Sequence, residues 1–461
     1  MVFLPKQLGN NSVKTSIFDG FLMGFNPASR SLLMIRKHTK QLVKIEFVKN
    51  SVTLITGTVV AQVFPILLQP FLRRLFEPSD FGVLALYLTL LSIFYSFATL
   101  KYDSTVMLPQ KDEDAANLVA GGVFTSLLIS IVLFLLFLIF NEQIITLLSL
   151  PEIMRFWLLV LPLSIFLFSS SQVFNYWLIR KKAFKSSSLN KVYRRGAEGI
   201  SQVGLGVSFY SSGLVIGNIL GDLMNFVSSY YQALKRGFHP KFIKKVKIIA
   251  LLKRYSSFPK YNALPALLDT ISLSIPVILL NKFYGGEVTG YFDLSRMFMA
   301  LPLALISVSI SQVLFQDISV RIREKGTIED VLKKIIKILG VAAVLIVLIG
   351  MLFSVPLFTL VFGEKWEVSG VMTTILIPAY GLRFIVTPLT IAFNALEKIF
   401  WSSLWQLIYF VMICSLFFLD GLSVKEFLYV YLLIDLFAYV LYFILLRWQV
   451  RGYEKNRVLN A

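Results

Sequence analysis

Apolar stretches about as long as a bilayer is thick follow one another from residue 51 to residue 446, with only short polar breaks between them. A helix needs roughly 20 apolar residues to cross the hydrocarbon, where each backbone amide must find its partner inside the protein. Stretches at 51–70, 81–100, 117–140, 156–179, 196–212, 213–234, 261–280, 291–315, 335–362, 371–396, 400–419 and 427–446 meet or approach that length. They predict an all-α polytopic membrane protein with about twelve transmembrane helices. At 56% apolar and 15% charged residues, 461 residues contain too little polar sequence to clothe a soluble globule.

The charges give the direction of the crossings. Of 45 lysines and arginines, 37 fall in every second gap, while Arg73, Arg74, Arg155, Lys282, Lys365 and Lys425 occupy the other gaps and Arg296 and Arg383 lie inside predicted spans. Basic residues are retained on the cytoplasmic side during insertion, so both termini are expected in the cytoplasm. The same bias accounts for the net charge of +19, and its spread over short loops argues against nucleic acid as a partner. Glu198 and Asp222 interrupt the fifth and sixth stretches. Removing both as a pair leaves ten crossings with the same end orientation, so ten and twelve stay open.

The organisation that follows is a basic cytoplasmic segment 1–50, six spans in 51–234, a basic cytoplasmic loop 235–260, six spans in 261–446 and a cytoplasmic tail 447–461. In the first segment, Asp19, Asn26, Pro27 and Arg30 break up the partly apolar run from Ile17 to Met34, which does not read as a signal peptide. Two readings stand: translation begins at Met34, or the run is an interfacial amphipathic helix. The halves share a faint match at an offset of 208 residues. Leu72-Arg73-Arg74-Leu75-Phe76 with Gly82 and Leu86 lines up with Leu280-Asn281-Lys282-Phe283-Tyr284, Gly290 and Leu294. Both copies fall in the turn after the first span of a half, which implies parallel repeats about an axis along the membrane normal.

Several chemistries are excluded or weakened. One cysteine, Cys414, gives no disulfide framework, and two histidines, His38 and His239, give no zinc cluster. No Gly-x-Ser-x-Gly elbow, Walker loop or His-Glu-x-x-His string occurs. Asp112-Glu113-Asp114 matches the Asp-x-Asp string of metal-dependent glycosyl transfer, but acidic residues in the first turn of a helix also meet its dipole favourably. A membrane-embedded glycan polymerase or ligase is the stronger enzymatic alternative, although no outward loop exceeds about 15 residues.

The run from Leu72 to Tyr87, Leu-Arg-Arg-Leu-Phe-Glu-Pro-Ser-Asp-Phe-Gly-Val-Leu-Ala-Leu-Tyr, resembles the opening signature of polysaccharide flippases of the multidrug/oligosaccharidyl-lipid/polysaccharide exporter superfamily. Leu108-Pro109 leading into the stretch from Lys111 to Leu118, Tyr291 to Met297 with Leu301-Pro302 and Ile310-Ser311-Gln312, and Asn394 to Lys398 are similar to Wzx-type O-antigen and capsule flippases. The resemblance covers roughly residues 45 to 450. It implies two six-helix lobes around a central cavity that opens alternately to either side. It also implies a cargo, a polyprenyl-pyrophosphate-linked glycan carried from cytoplasm to periplasm across the bacterial cytoplasmic (inner) membrane for O-antigen, lipopolysaccharide or capsule synthesis. The expected partners are the bilayer, that glycolipid and other polysaccharide-assembly membrane proteins. No cofactor is expected, and coupling to a proton or sodium gradient is.

Moving a diphosphate and a hydrated sugar through hydrocarbon requires cationic and polar groups along the path, and ionisable residues at membrane depth are read first as facing a cavity or each other. Arg383, with no acid nearby in sequence, is the leading contact for the pyrophosphate, because guanidinium offers fixed bidentate donors. Arg296 follows Asp293 by three residues, the spacing of an ion pair within a helix. Arg73 and Arg74 suit a phosphate contact at the outer rim, interfacial anchoring, or pairing with Glu77 or Asp80. Asp222, Asp269, Asp293, Asp435 and Glu198 are carboxylates for ion coupling or for interhelical hydrogen bonds. Gly213, Gly217 and Gly221 form a smooth stripe for helix packing. Trp177, Tyr380 and Trp405 are aromatic candidates for stacking on sugar. The rival transport reading is a drug or organic-cation antiporter of the same superfamily, whose cavity should be acidic.

Overall fold

Helix follows helix through residues 64–208 and 210–459, which the computed structural model describes, with no strand among them. The chain divides into Met1–Thr56 and Gly57–Ala461, and the described residues belong to the second unit. Segment 1–50 and most of the first predicted span lie outside the described residues.

Helix α1 is seen from 64 to 75. It is followed by α2 (Pro78–Ala98), α3 (Asp112–Ile139), α4 (Met154–Arg180), α5 (Phe184–Val207) and α6 (Gly213–Lys235). After a connecting segment come α7 (Leu264–Pro302), α8 (Val308–Arg323), α9 (Glu329–Phe362), α10 (Glu367–Leu389), α11 (Ile399–Cys414) and α12 (Val424–Leu459). Among the described residues, eight stretches are long and apolar enough to cross a membrane: α2, α3, α4, Pro259–Leu301, α9, Glu364–Ala395, Ile399–Phe418 and Val424–Arg457. The chain is an all-helical membrane protein. Its outer surface has the character this requires, since Val344, Leu348, Leu352 and Phe353 on α9 point outward from the bundle, where lipid is their natural neighbour.

Local chemistry sets the helix ends. Pro78 opens α2 where a missing N–H costs nothing, and the Asp80 carboxylate accepts the Glu77 N–H at 3.0 Å. Gly285, at φ 88°, breaks α7 with the left-handed backbone that glycine tolerates best.

The structure corrects three boundaries. Helix α5 begins at Phe184, not 196, so the predicted loop 180–195 shrinks to three residues. On it Ser186, Ser187, Ser188 and Asn190 are buried and Arg194 turns inward to Asp222, while Lys185 stays exposed, and hydropathy reads such a polar stretch as a loop. The predicted outward loop 281–290 is helical apart from the Gly285 break. The tail predicted from 447 continues α12 to Leu459.

Helices α3 to α6 pack mainly on one another and on α2, and α8 to α12 on one another and on α7, while α2 and α7 pack chiefly on each other. A Cβ on Gly82 would lie 1.9 Å from the Gly286 carbonyl oxygen, and one on Gly290 would lie 1.8 Å from the Pro78 carbonyl oxygen. A shift of 208 residues turns one contact into the other. The same end carries further ties: Trp366 Nε1 donates to the Arg73 carbonyl at 2.8 Å, Asn281 donates to the Ser149 carbonyl at 2.9 Å, and the Tyr284 hydroxyl donates to the Leu422 carbonyl at 3.0 Å. Gly217 and Gly221 face the α5 backbone at Glu198 and Arg194, so the glycine stripe lets α5 and α6 touch.

The connecting segment is docked. Asn117, buried in α3, donates to the Phe242 carbonyl and accepts the Lys244 N–H, both at 2.8 Å. A short helix, Lys245–Arg254, then lies along α3.

Candidate functional site

Between α1, α2 and α5 on one side and α7, α10 and α12 on the other lies a cavity of about 600 Å³. Much of its wall is leucine, including Leu68, Leu72, Leu84 and Leu88. Set into that wall are four guanidiniums, Arg73, Arg195, Arg296 and Arg383, against two carboxylates, Glu198 and Asp293, with Gln69, Gln202, Tyr380 and Tyr431 completing the polar lining. Counting Asp435, which Arg383 holds just behind the wall, the site keeps an excess of one positive charge, and in a low-dielectric surround this favours an anion.

Each cation is held differently. Arg383 donates to Asp435 at 2.5 Å and to the Tyr409 hydroxyl at 2.9 Å, and Tyr380 and Tyr439 lie 4.9 and 5.0 Å from it, ring centroid to guanidinium carbon. The acid missing from its sequence neighbourhood comes from 52 residues away. Arg195 pairs with Glu198 at 2.8 Å along α5. Arg73 is 1% exposed, donates to Asp293 at 2.9 Å and to Gln69 at 3.1 Å, and sits over the rings of Phe81 and Trp366 at 3.5 and 4.5 Å. Asp293 is thus engaged by Arg73 from α1, and Arg296 stands 4.0 Å away from its other oxygen. The intrahelical Asp293–Arg296 pair expected from spacing is therefore subordinate to one made across the bundle, because a carboxylate takes the better-aligned donor.

Arg74 does not line the cavity. It is exposed and reaches the Leu360 and Val361 carbonyls near the end of α9 at 3.4 and 3.5 Å. Neither Arg73 nor Arg74 pairs with Glu77 or Asp80; Glu77 instead meets Lys365 at 3.0 Å. Of the carboxylates offered for ion coupling, Asp222 is buried against Arg194 at 2.8 Å, Asp435 against Arg383, and Glu198 is taken by Arg195. Asp269 is exposed and lies off the cavity. Among the aromatic candidates Tyr380 lines the cavity, whereas Trp177 is buried beside Phe238 and Trp405 is stacked on Tyr442 at 3.9 Å. Arg195, Gln69 and Gln202 lie on the cavity without having been singled out by sequence. The one available signal was Glu198, three residues after Arg195 within a stretch otherwise suited to a span.

A second, polar pocket of about 190 Å³ lies between α4, α5 and α6, with Ser171, Asn175, Asn190 and Arg194 on its wall, and Arg195 borders both spaces. The Asp112-Glu113-Asp114 string is occupied by cations: Asp112 meets Arg180 at 3.1 Å and also Lys181, and Lys247 lies 3.1 Å from Glu113 and 3.7 Å from Asp114. The bond to Glu113 holds the Lys247 ammonium above its ordinary pKa. Among the described residues no group of acids, histidines or cysteine could hold a metal ion.

A family model described as "Polysaccharide biosynthesis protein" matches residues 71–370. The teichuronic acid biosynthesis protein TuaB of Bacillus subtilis (strain 168) is 24% identical over 160 residues, which are 34% of this chain and 32% of TuaB. The succinoglycan biosynthesis transport protein ExoT of Rhizobium meliloti (strain 1021) is 20% identical over 305 residues, 64% of this chain and 58% of ExoT. The matched regions thus span about a third and under three fifths of these relatives. In fold, the chain is similar to an inward-facing multidrug resistance MATE family transporter of the MOP superfamily, with a TM-score of 0.71 at 13% identity over 86% of this chain and 96% of that one. It is also similar to the lipid II flippase MurJ in an inward closed conformation, with a TM-score of 0.67 at 14% identity over 87% and 90%.

Proposed function

Because the chain belongs to the polysaccharide biosynthesis protein family, a family of MOP-superfamily membrane transporters and not of enzymes, we propose that it flips a polyprenyl-pyrophosphate-linked oligosaccharide from the cytoplasmic to the periplasmic leaflet for surface polysaccharide synthesis. In this reading twelve spans form two six-helix lobes, 51–234 and 261–446, with both termini in the cytoplasm of a bacterial cell. The cavity between the lobes opens alternately to either side. The closely crossed end at Gly82 and Gly290 is then the periplasmic one.

The observation that carries the reading is the charge of the cavity: four guanidiniums against two carboxylates on its leucine-rich wall, with Asp435 behind Arg383, leaving a net positive site. Guanidiniums meet diphosphate oxygens bidentately, and the apolar wall suits the prenyl chain beside them. An organic-cation antiporter would need the opposite balance. Arg296 has the weakest internal partner of the four and is the cation best placed to be claimed by cargo, with Arg73 and Arg383 held by acids beside it. Of the coupling acids, Glu198 and Asp293 are on the cavity, so a proton or sodium gradient would act through them more directly than through Asp222, Asp269 or Asp435.

The test is deletion of the gene followed by analysis of polyprenyl-linked glycans in each leaflet. Accumulation on the cytoplasmic leaflet is expected. An unchanged glycolipid pool with altered drug sensitivity would instead establish the antiporter.

A further inference from the structure

We propose that Asp293 is the resident counter-anion of the cavity, standing where a cargo phosphate would stand between Arg73 and Arg296, so that the empty transporter can close the end of the cavity that these residues line. The inference rests on the reading that the cargo is a lipid-linked diphosphate.

The two oxygens of Asp293 face two different guanidiniums: Oδ2 is 2.9 Å from Arg73 Nη2, and Oδ1 is 4.0 Å from Arg296 Nη2. Arg73 is rigidly placed. Its guanidinium is stacked over Phe81 and Trp366, its Nε is bonded to Gln69, and its backbone carbonyl is taken by Trp366. Yet its Nη1 is buried without a partner among the described residues. A buried guanidinium nitrogen with nothing to donate to is costly, and it points to an acceptor that a carboxylate engaged through a single oxygen does not supply. A phosphate, with more oxygens, satisfies both Nη groups of Arg73 and reaches Arg296 as well.

Asp293 lies on α7 one turn beyond Gly290, and Arg73 lies at the end of α1, so their bond spans the place where Gly82 and Gly290 bring the two groups of helices together. Closing that end draws Arg73 and Arg296 toward each other. Without an anion between them, like charges in a low-dielectric site oppose closure. Cargo supplies the anion on the loaded stroke and Asp293 supplies it on the empty one. Asp293 is therefore a positioning residue: it competes with cargo for Arg73 and makes the return possible without cargo.

The experiment uses the full chain in nanodiscs with Cys414→Ala, spin labels at the exposed positions 152 and 425 near that end, and inorganic pyrophosphate as the probe. In the otherwise native protein a short interspin distance is expected with or without pyrophosphate. In Asp293→Asn the distance should lengthen without pyrophosphate and shorten again on adding it, with pyrophosphate bound at least tenfold more tightly. Asp293→Glu should restore the short distance. A short distance in Asp293→Asn without pyrophosphate, or a long one that pyrophosphate does not shorten, overturns the inference. Should that variant not fold, Arg73→Gln with Asp293→Asn decides, since both charges leave together. Closure indifferent to pyrophosphate supports the inference and an open end overturns it. If neither native protein nor variant binds pyrophosphate, the cargo reading itself falls, whereas binding without an effect on closure removes only the role of Asp293.

Discussion

Arg383 on α10 holds Asp435 on α12 at 2.5 Å, and the Tyr409 hydroxyl of α11 donates to Asp435 and accepts from Arg383, each at 2.9 Å. Three helices converge on one buried pair. Breaking such a pair by removing one partner leaves an uncompensated charge and costs about 3–5 kcal/mol, whereas replacing both partners with apolar residues of similar volume is far less harmful. Arg383→Met and Asp435→Leu singly should each lower thermal stability in detergent by an amount of that order, and the double variant should recover most of the loss. Additive losses would show that the two side chains do not act as a pair. The double variant also separates stability from cargo binding: folded protein with glycolipid flipping abolished would assign Arg383 to the cargo, and unimpaired flipping would remove it from the site.

Arg296 gives the complementary case. Its one ion-pair partner among the described residues is 4.0 Å away and a third of its side chain is exposed to the cavity, so Arg296→Ala should unfold at the native temperature. One charge-assisted hydrogen bond to a phosphate contributes about 1.5–3 kcal/mol, so flipping should fall roughly ten- to a hundredfold, with Arg296→Lys intermediate. Leaflet-resolved measurement of the lipid-linked glycan in a complemented deletion strain reads this directly. Normal flipping in Arg296→Ala would take away the cavity's main claim on the cargo.

What sequence could convey differed from residue to residue for physical reasons. Hydropathy located both ends of α2 and α4 and the far ends of α3 and α9 closely because lipid demands a continuous apolar stretch there, but it began α3 and α9 late, where their first turns are charged. It misplaced α5 because Arg194 and Arg195 face Asp222, Glu198 and the cavity instead of lipid, and polarity turned inward is indistinguishable in one dimension from polarity turned to water. Spacing within a helix suggested Arg296 for Asp293 and left Arg383 without a partner. The partners that matter, Arg73 and Asp435, lie 220 and 52 residues away, and only the packing brings them near. The offset of 208 residues, by contrast, aligned Gly82 with Gly290, and these two glycines make equivalent close contacts.

That contact is testable by adding a side chain. Valine at Gly82 or Gly290 forces carbons into a space where a Cβ already meets a carbonyl oxygen at 1.9 or 1.8 Å. Overpacking of this kind costs about 1–3 kcal/mol, which shifts a two-state equilibrium roughly five- to a hundredfold. Either substitution should lengthen the distance between labels at positions 152 and 425, and Gly204→Val, with nothing within 4 Å of its Cβ, should not. Equal distances in all three would mean that the crossing does not govern closure.

The connecting segment offers a prediction independent of the cavity. Asn117 bonds three backbone groups at once, the Glu113 and Phe242 carbonyls and the Lys244 N–H, each at 2.8 Å. Asn117→Leu leaves the last two without their partner. Each lost bond to a partly buried backbone group costs about 1 kcal/mol, which together should free the segment from α3 more often than it unfolds α3 itself. Trypsin applied to the purified protein should then cut at Lys241, Lys244 or Lys245 several times faster than in the native protein. Asn117→Asp keeps an acceptor for the Lys244 N–H and loses the donor to Phe242, so its cleavage rate should fall between the two. Cleavage unchanged in Asn117→Leu would show that Lys247 with Glu113, together with the packing of Leu252 on Gly121, is sufficient to hold the segment in place.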